Sequence, residues 1–127
     1  MTIQRINPTT LAPPGGHYSH AVVANGFVFI SGQLPITPAG EKLNQTSFED
    51  QATQVLANVQ AALDAAGSSV AKLVQVRVYV TDVEQWPAFN RIYQQWAGAA
   101  PPARAVVPVP LLHYGFLIEV EAVGVAV

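Results

Sequence analysis

Leu73-Val74-Gln75-Val76-Arg77-Val78-Tyr79-Val80 alternates without a break, with four valines on one face and Gln75, Arg77 and Tyr79 on the other. Period-two alternation of this kind marks a strand with one covered face. The valine face calls for helices, and the flanking sequence supplies two. On the N-terminal side, Phe48, Ala52, Val55, Leu56, Val59, Leu63 and Ala66 form one apolar stripe at helical spacing. Thr46 or Ser47 caps that helix, with Glu49 or Asp50 three residues on as the partner of a capping box, and Gly67 ends it at C′. On the C-terminal side, a second helix runs from about Trp86-Pro87, proline being tolerated in a first turn, to about Gly98. Its buried stripe is Phe89, Tyr93, Trp96 and Ala97.

Further out, His20-Ala21-Val22-Val23-Ala24 and Phe27-Val28-Phe29-Ile30-Ser31 flank Asn25-Gly26, the two-residue signature of a type I′ hairpin. A loop rich in turn formers follows through Pro38-Ala39-Gly40. Pro101-Pro102 forces an extended connector into a strand from Arg104 to Val109, and a last strand runs from Phe116 to about Val125. The expected order is β-β-α-β-α-β-β, an α+β domain over residues 1–127 with both helices packed on one face of the sheet. The other face would carry Gln75, Arg77, Tyr79 and Arg104, with Glu119 and Glu121 beside Leu117 and Val123. That mixture is too polar for a core and too apolar for open solvent, and it fits a face packed against other subunits.

Arg104 begins an apolar strand in a chain with only six Lys and Arg. A buried or half-buried guanidinium needs an anion, because leaving it unpaired costs several kcal/mol or more. Fifteen residues on, Leu117-Ile118-Glu119-Val120-Glu121 brings carboxylates. Two readings stand: an ion pair between Arg104 and Glu119, or a site for a small carboxylate ligand.

Hydrophobic residues make up 50% of the chain and charged residues 11%, low surface charge for a monomer and suited to a homo-oligomer. No apolar run is long enough to span a membrane. A net charge of −2 with no Lys/Arg cluster argues against nucleic acid. Zero cysteines removes disulfides, thiolate metal sites and thiol catalysis. Met1-Thr2-Ile3-Gln4-Arg5 lacks the organisation of a signal peptide, which makes the cytoplasm the expected compartment.

Five segments occur in order: Gly16-His17-Tyr18-Ser19-His20-Ala21-Val22, Ser31-Gly32-Gln33-Leu34-Pro35, Asn90-Arg91-Ile92-Tyr93, Pro102-Ala103-Arg104 and Ile118-Glu119-Val120-Glu121-Ala122. Together they resemble the reactive intermediate deaminase family, RidA or YjgF, across nearly the whole chain. The resemblance implies a chorismate-mutase-like fold and a homotrimer with three clefts at subunit interfaces. It also implies hydrolysis of 2-imino acids, or their enamine tautomers, to 2-keto acids and ammonia, with no metal or cofactor. Carried over, Arg104 holds the substrate carboxylate and Glu119 positions the attacking water. Tyr18, Ser31 and Asn90 line the pocket, with backbone groups near Gly32 and Val106. The residue types suit the chemistry: a guanidinium grips a carboxylate through two parallel hydrogen bonds. Glu119, kept ionised by Arg104 nearby, would orient one water, help worth roughly 10²–10⁴-fold.

The chain departs from the family pattern at His17, His20, Ala105-Val106 and Leu111-Leu112-His113-Tyr114-Gly115. Those changes leave open a specialised deaminase for a larger enamine such as 2-aminomuconate, or a binding module that senses a small carboxylate. Plainer roles compete at several positions. Glu121 pairs with Arg77; Tyr18 is an interface aromatic; Ser31 terminates a strand; Asn90 caps or braces a loop; Trp86 and Trp96 pack in the core. His17 and His20 shape the pocket or bond locally, and a metal reading lacks a third ligand nearby.

Overall fold

The structure, a computed structural model, describes residues 2–126. Six strands and two helices form a mixed α+β fold: β1 (Ile3–Ile6), β2 (Ala21–Ala24), β3 (Phe27–Gln33), α1 (Phe48–Ala65), β4 (Leu73–Val80), α2 (Trp86–Ala97), β5 (Ala103–Pro108) and β6 (Ile118–Val125). The sheet order is β1-β2-β3-β6-β4-β5, antiparallel except for the parallel pair β4–β5 that α2 connects. The element order has one strand more than expected. Ile3–Ile6 pairs with Ala21–Ala24 at the sheet edge, and its short, largely exposed Ile-Gln-Arg-Ile carries no usable alternation.

The predicted elements form for the reasons the sequence suggests. Asn25 and Gly26 take φ of 53° and 79°, the positive values a type I′ turn needs. Ser47, rather than Thr46, caps α1: its hydroxyl accepts from the Asp50 amide at 3.1 Å, while Thr46 donates to the Leu43 carbonyl. At the other end Gly67 sits at φ 80°. Its amide donates to the Asp64 carbonyl and that of Ser68 to Leu63, at 3.1 and 2.9 Å, the paired bonds of a Schellman motif.

Val76, Val78 and Val80 are fully buried beneath the helices, with Val28, Ile118 and Val120 beside them. Each such side chain contributes about 1.5–3 kcal/mol on burial. Val74 departs from the alternation. The register moves from Leu73↔Gly124 to Gln75↔Val123, so Val74 lies in a bulge and stays 45% exposed. Trp86 also falls outside the expected core, at 45% exposure, whereas Trp96 packs on Tyr93 with ring centroids 5.9 Å apart.

The helix-free face carries Gln75, Arg77, Tyr79, Glu119 and Glu121, as alternation requires. Arg77 pairs with Glu121 at 3.4 Å, and the Tyr79 hydroxyl donates to the same carboxylate at 2.7 Å. Phe27 and Phe29, 41% and 47% exposed, stand on this face too. Uncovered aromatic rings beside a charge network suit contact with another protein surface.

Candidate active site

The bulge in β3 builds the main cleft. Ile30 pairs with Ala122 and Gln33 with Val120, so β3 advances three residues while β6 advances two. The extra residue lies in Ser31-Gly32, and bulges of this kind re-aim side chains beside active sites. Across from it stands Glu119 in β6. A Cβ at Gly32 would meet the Glu119 carboxylate oxygen well inside contact distance and its carboxyl carbon at 3.1 Å. Glycine here is what lets the carboxylate lie against the strand.

The cleft is about 600 Å³ and is lined by Tyr18, Ser31, Gly32, Lys42, Tyr114 and Glu119, among others. Burial pushes the Glu119 carboxyl above the ordinary carboxylate range; His113 draws it back and Glu121 pushes it further up. Ser31 donates its hydroxyl proton to the Ser19 carbonyl at 2.6 Å, leaving oxygen lone pairs for a ligand. The Tyr18 hydroxyl accepts from the Gly15 amide at 3.3 Å.

His20 is buried, and both ring nitrogens are occupied. Nε2 donates to the Ala12 carbonyl at 2.7 Å and Nδ1 accepts from the Gln33 amide at 3.1 Å, a pattern that defines the neutral Nε2–H tautomer. His20 braces the cleft wall.

Arg104 lies elsewhere. It sits opposite Val76 in the parallel register of β4 and β5, and so on the helix side of the sheet, not on the helix-free face expected for it beside Gln75, Arg77 and Tyr79. Nor is it buried. On an edge strand the guanidinium reaches solvent, over the Tyr93 ring at 4.8 Å and the Phe89 ring at 5.9 Å. It donates to Asn90 Oδ1 at 3.0 Å, so Asn90 braces an arginine rather than capping a helix. Val106, half-buried, follows Arg104 on the same face. Glu119, by contrast, is partnered with Tyr79 across β6 and β4 and points to the helix-free face.

The candidate residues therefore form two groups. Tyr18, Ser31, Gly32 and Glu119 share the cleft; Asn90, Arg104 and Val106 share the β5 edge. One strand and the thickness of the sheet separate them, so the expected pairing of Arg104 with Glu119 does not occur within one chain.

The profile of the family described as Endoribonuclease L-PSP matches residues 9–126. The chain belongs to this RidA/YjgF family. A RutC family protein of Pyrococcus horikoshii is 40% identical over 111 residues, covering 87% of this chain and 88% of its own. Among solved structures, RidA from the Antarctic bacterium Psychrobacter sp. superposes with a TM-score of 0.91 at 33% identity, over 96% of this chain and 98% of that one. Escherichia coli TdcF, solved with bound serine, superposes at 0.90 and 32% identity with the same coverage. The mixed sheet and two helices are the frame shared with these structures.

Within this chain the cleft also holds Lys42, for which the sequence carried no signal, and His113 and Tyr114 from the segment that departs from the family pattern. The one signal for the last two was the unusual Leu111–Gly115 turn. Tyr114 adopts φ 59°, a left-handed conformation uncommon for a tyrosine. Asn44 Nδ2 holds it there, donating to its carbonyl at 3.0 Å.

Proposed function

We propose that this protein hydrolyses 2-imino acids, or their enamine tautomers, to 2-keto acids and ammonia, in clefts completed between copies of a homotrimer. One observation carries the reading: the carboxylate-binding and water-binding candidates are separately braced, yet they cannot meet within one chain. A second copy presenting its β5 edge to the Glu119 cleft would join them. The exposed Phe27 and Phe29 on the helix-free face supply apolar surface for such an assembly. The bound serine of TdcF supports a small molecule bearing a carboxylate as the ligand class.

Arg104 of one copy, oriented by Asn90, would hold the substrate carboxylate bidentately and so fix C2. Glu119 of another copy would take a proton from a water as its oxygen bonds to C2, the C=N electrons passing to nitrogen. The proton returns to nitrogen, giving a carbinolamine. Transfer of its hydroxyl proton to the same nitrogen, through Glu119, then breaks C–N, releasing ammonia and leaving C=O in the keto acid. A carboxylate raised by burial is a better base than an ordinary one, and the arriving guanidinium would favour its ionised form. RNA cleavage, suggested by the family's endoribonuclease description, is disfavoured by a net charge of −2 and the absence of a basic stripe.

The test is keto-acid or ammonia release from freshly generated 2-iminopropionate. Wild type should accelerate it and Arg104→Ala should not, with the assembly unchanged by sedimentation. A fully active Arg104→Ala protein would sink the reading.

A further inference from the structure

The cleft contains more charge than the proposed hydrolysis uses. Glu119 is assigned to the water, and both His20 nitrogens are occupied within the protein. Lys42 is left over. Its Nζ lies 4.9 Å above the Tyr114 ring, and among the described residues no carboxylate lies within ion-pairing distance of it. Its backbone is fixed. Ile36 and Lys42 form an antiparallel bridge, and the loop between them is closed by Thr37 N to Glu41 O at 2.9 Å and Gly40 N to Thr37 O at 2.8 Å. The backbone that carries the ring beneath the ammonium is held as well, through the Asn44 bond to the Tyr114 carbonyl. A cation on an aromatic platform, seated between two braced loops, is a prepared site for an anion. The volume agrees: about 600 Å³ lies in the range that holds ligands far larger than a three-carbon imino acid, about 300–1,000 Å³.

We infer that Lys42 is a specificity-determining residue that recognises a second anionic group at the far end of the substrate side chain, so that the preferred substrates are dicarboxylic 2-imino acids. This rests on the deaminase reading above for the chemistry at C2, but not for the binding. With the α-carboxylate on Arg104, a chain running past Glu119 toward Tyr114 would bring its terminal carboxylate to Lys42.

Two readouts keep the inference apart from the deaminase reading. The first is calorimetric binding of 2-oxoglutarate against 2-oxopentanoate, which differ only in whether the last carbon is a carboxylate or a methyl group. Wild type should bind the dicarboxylate about tenfold more tightly. The preference should fall to about twofold or less in Lys42→Gln and return in Lys42→Arg. The second is the ratio of kcat/KM for 2-iminoglutarate over 2-iminopentanoate, which should follow the same pattern. Equal binding of the two keto acids by wild type, or a preference unchanged in Lys42→Gln, would overturn the inference and leave the deaminase reading standing. A Lys42-dependent binding preference without turnover of either imine would uphold Lys42 as the residue that recognises the second anionic group and overturn the deaminase reading.

Discussion

Glu119 lies against Gly32 with no room for a methyl group between them. The carboxylate owes its position to the β3 bulge and to the missing side chain. Gly32→Ala should push the carboxylate aside without disturbing the core, because Gly32 is part-exposed at the cleft. A displacement of about 1 Å in a positioned group costs on the order of 10²-fold in rate. The variant should therefore lose about that much kcat on 2-iminopropionate and keep a cooperative melt. Wild-type kcat in Gly32→Ala would separate Glu119 from the chemistry.

Because Arg104 and Glu119 point to opposite sides of one sheet, two inactive variants should complement each other. Arg104→Ala and Glu119→Gln, refolded together in equal amounts, would pair an intact β5 edge with an intact Glu119 cleft in about a quarter of the interfaces if copies mix at random. Activity should recover to about that share of wild type, while each variant alone stays inactive. No recovery in a mixture that demonstrably exchanges subunits would rule out a cleft shared in this way.

What could be read from the sequence, and what could not, divides along physical lines. The β4 valines, the α1 stripe and the Asn25-Gly26 turn were legible because each depends on neighbours within a few residues. Val74 was not, since a bulge is decided by the partner strand. Arg104 was misplaced for a related reason: Ala-Arg-Ala-Val-Val-Pro has no clear alternation, so only pairing with β4 fixes its face. Gln51 and Asn58 lie outside the apolar stripe of α1, yet both are buried and bond distant backbone groups. Lys42 and Tyr114 meet from segments some seventy residues apart, a proximity that only the fold creates. The family resemblance supplied the residue roles and clefts at subunit interfaces, but not which of the residues each copy contributes.

Asn58 ties the cleft loop to α1. Its amide donates to the Leu34 and Ile36 carbonyls at 3.0 and 2.9 Å, and its oxygen accepts from Gln54 at 2.9 Å. Asn58→Ala strands two carbonyls, at a cost of about 1–3 kcal/mol. Gln54→Ala, which leaves those carbonyls satisfied, should cost clearly less. Denaturant melts of the two variants would show this order, and equal losses would contradict the bracing role of Asn58.

The raised Glu119 carboxyl makes stability depend on pH in a direction that reports on Arg104. A carboxyl that holds its proton more tightly folded than unfolded contributes stability in full below the unfolded value of 4.5. That contribution is lost as pH rises through the folded value. Glu119→Gln lacks the ionisation, so it should melt higher than its parent at pH 7.5, with the gain fading by roughly pH 4. Introduced into Arg104→Ala, the substitution should show this gain in full. Introduced into wild type it should gain less, because a guanidinium arriving from another copy stabilises the ionised form. The same melting difference in both backgrounds would mean that Arg104 never approaches Glu119, and the shared cleft would fail with it.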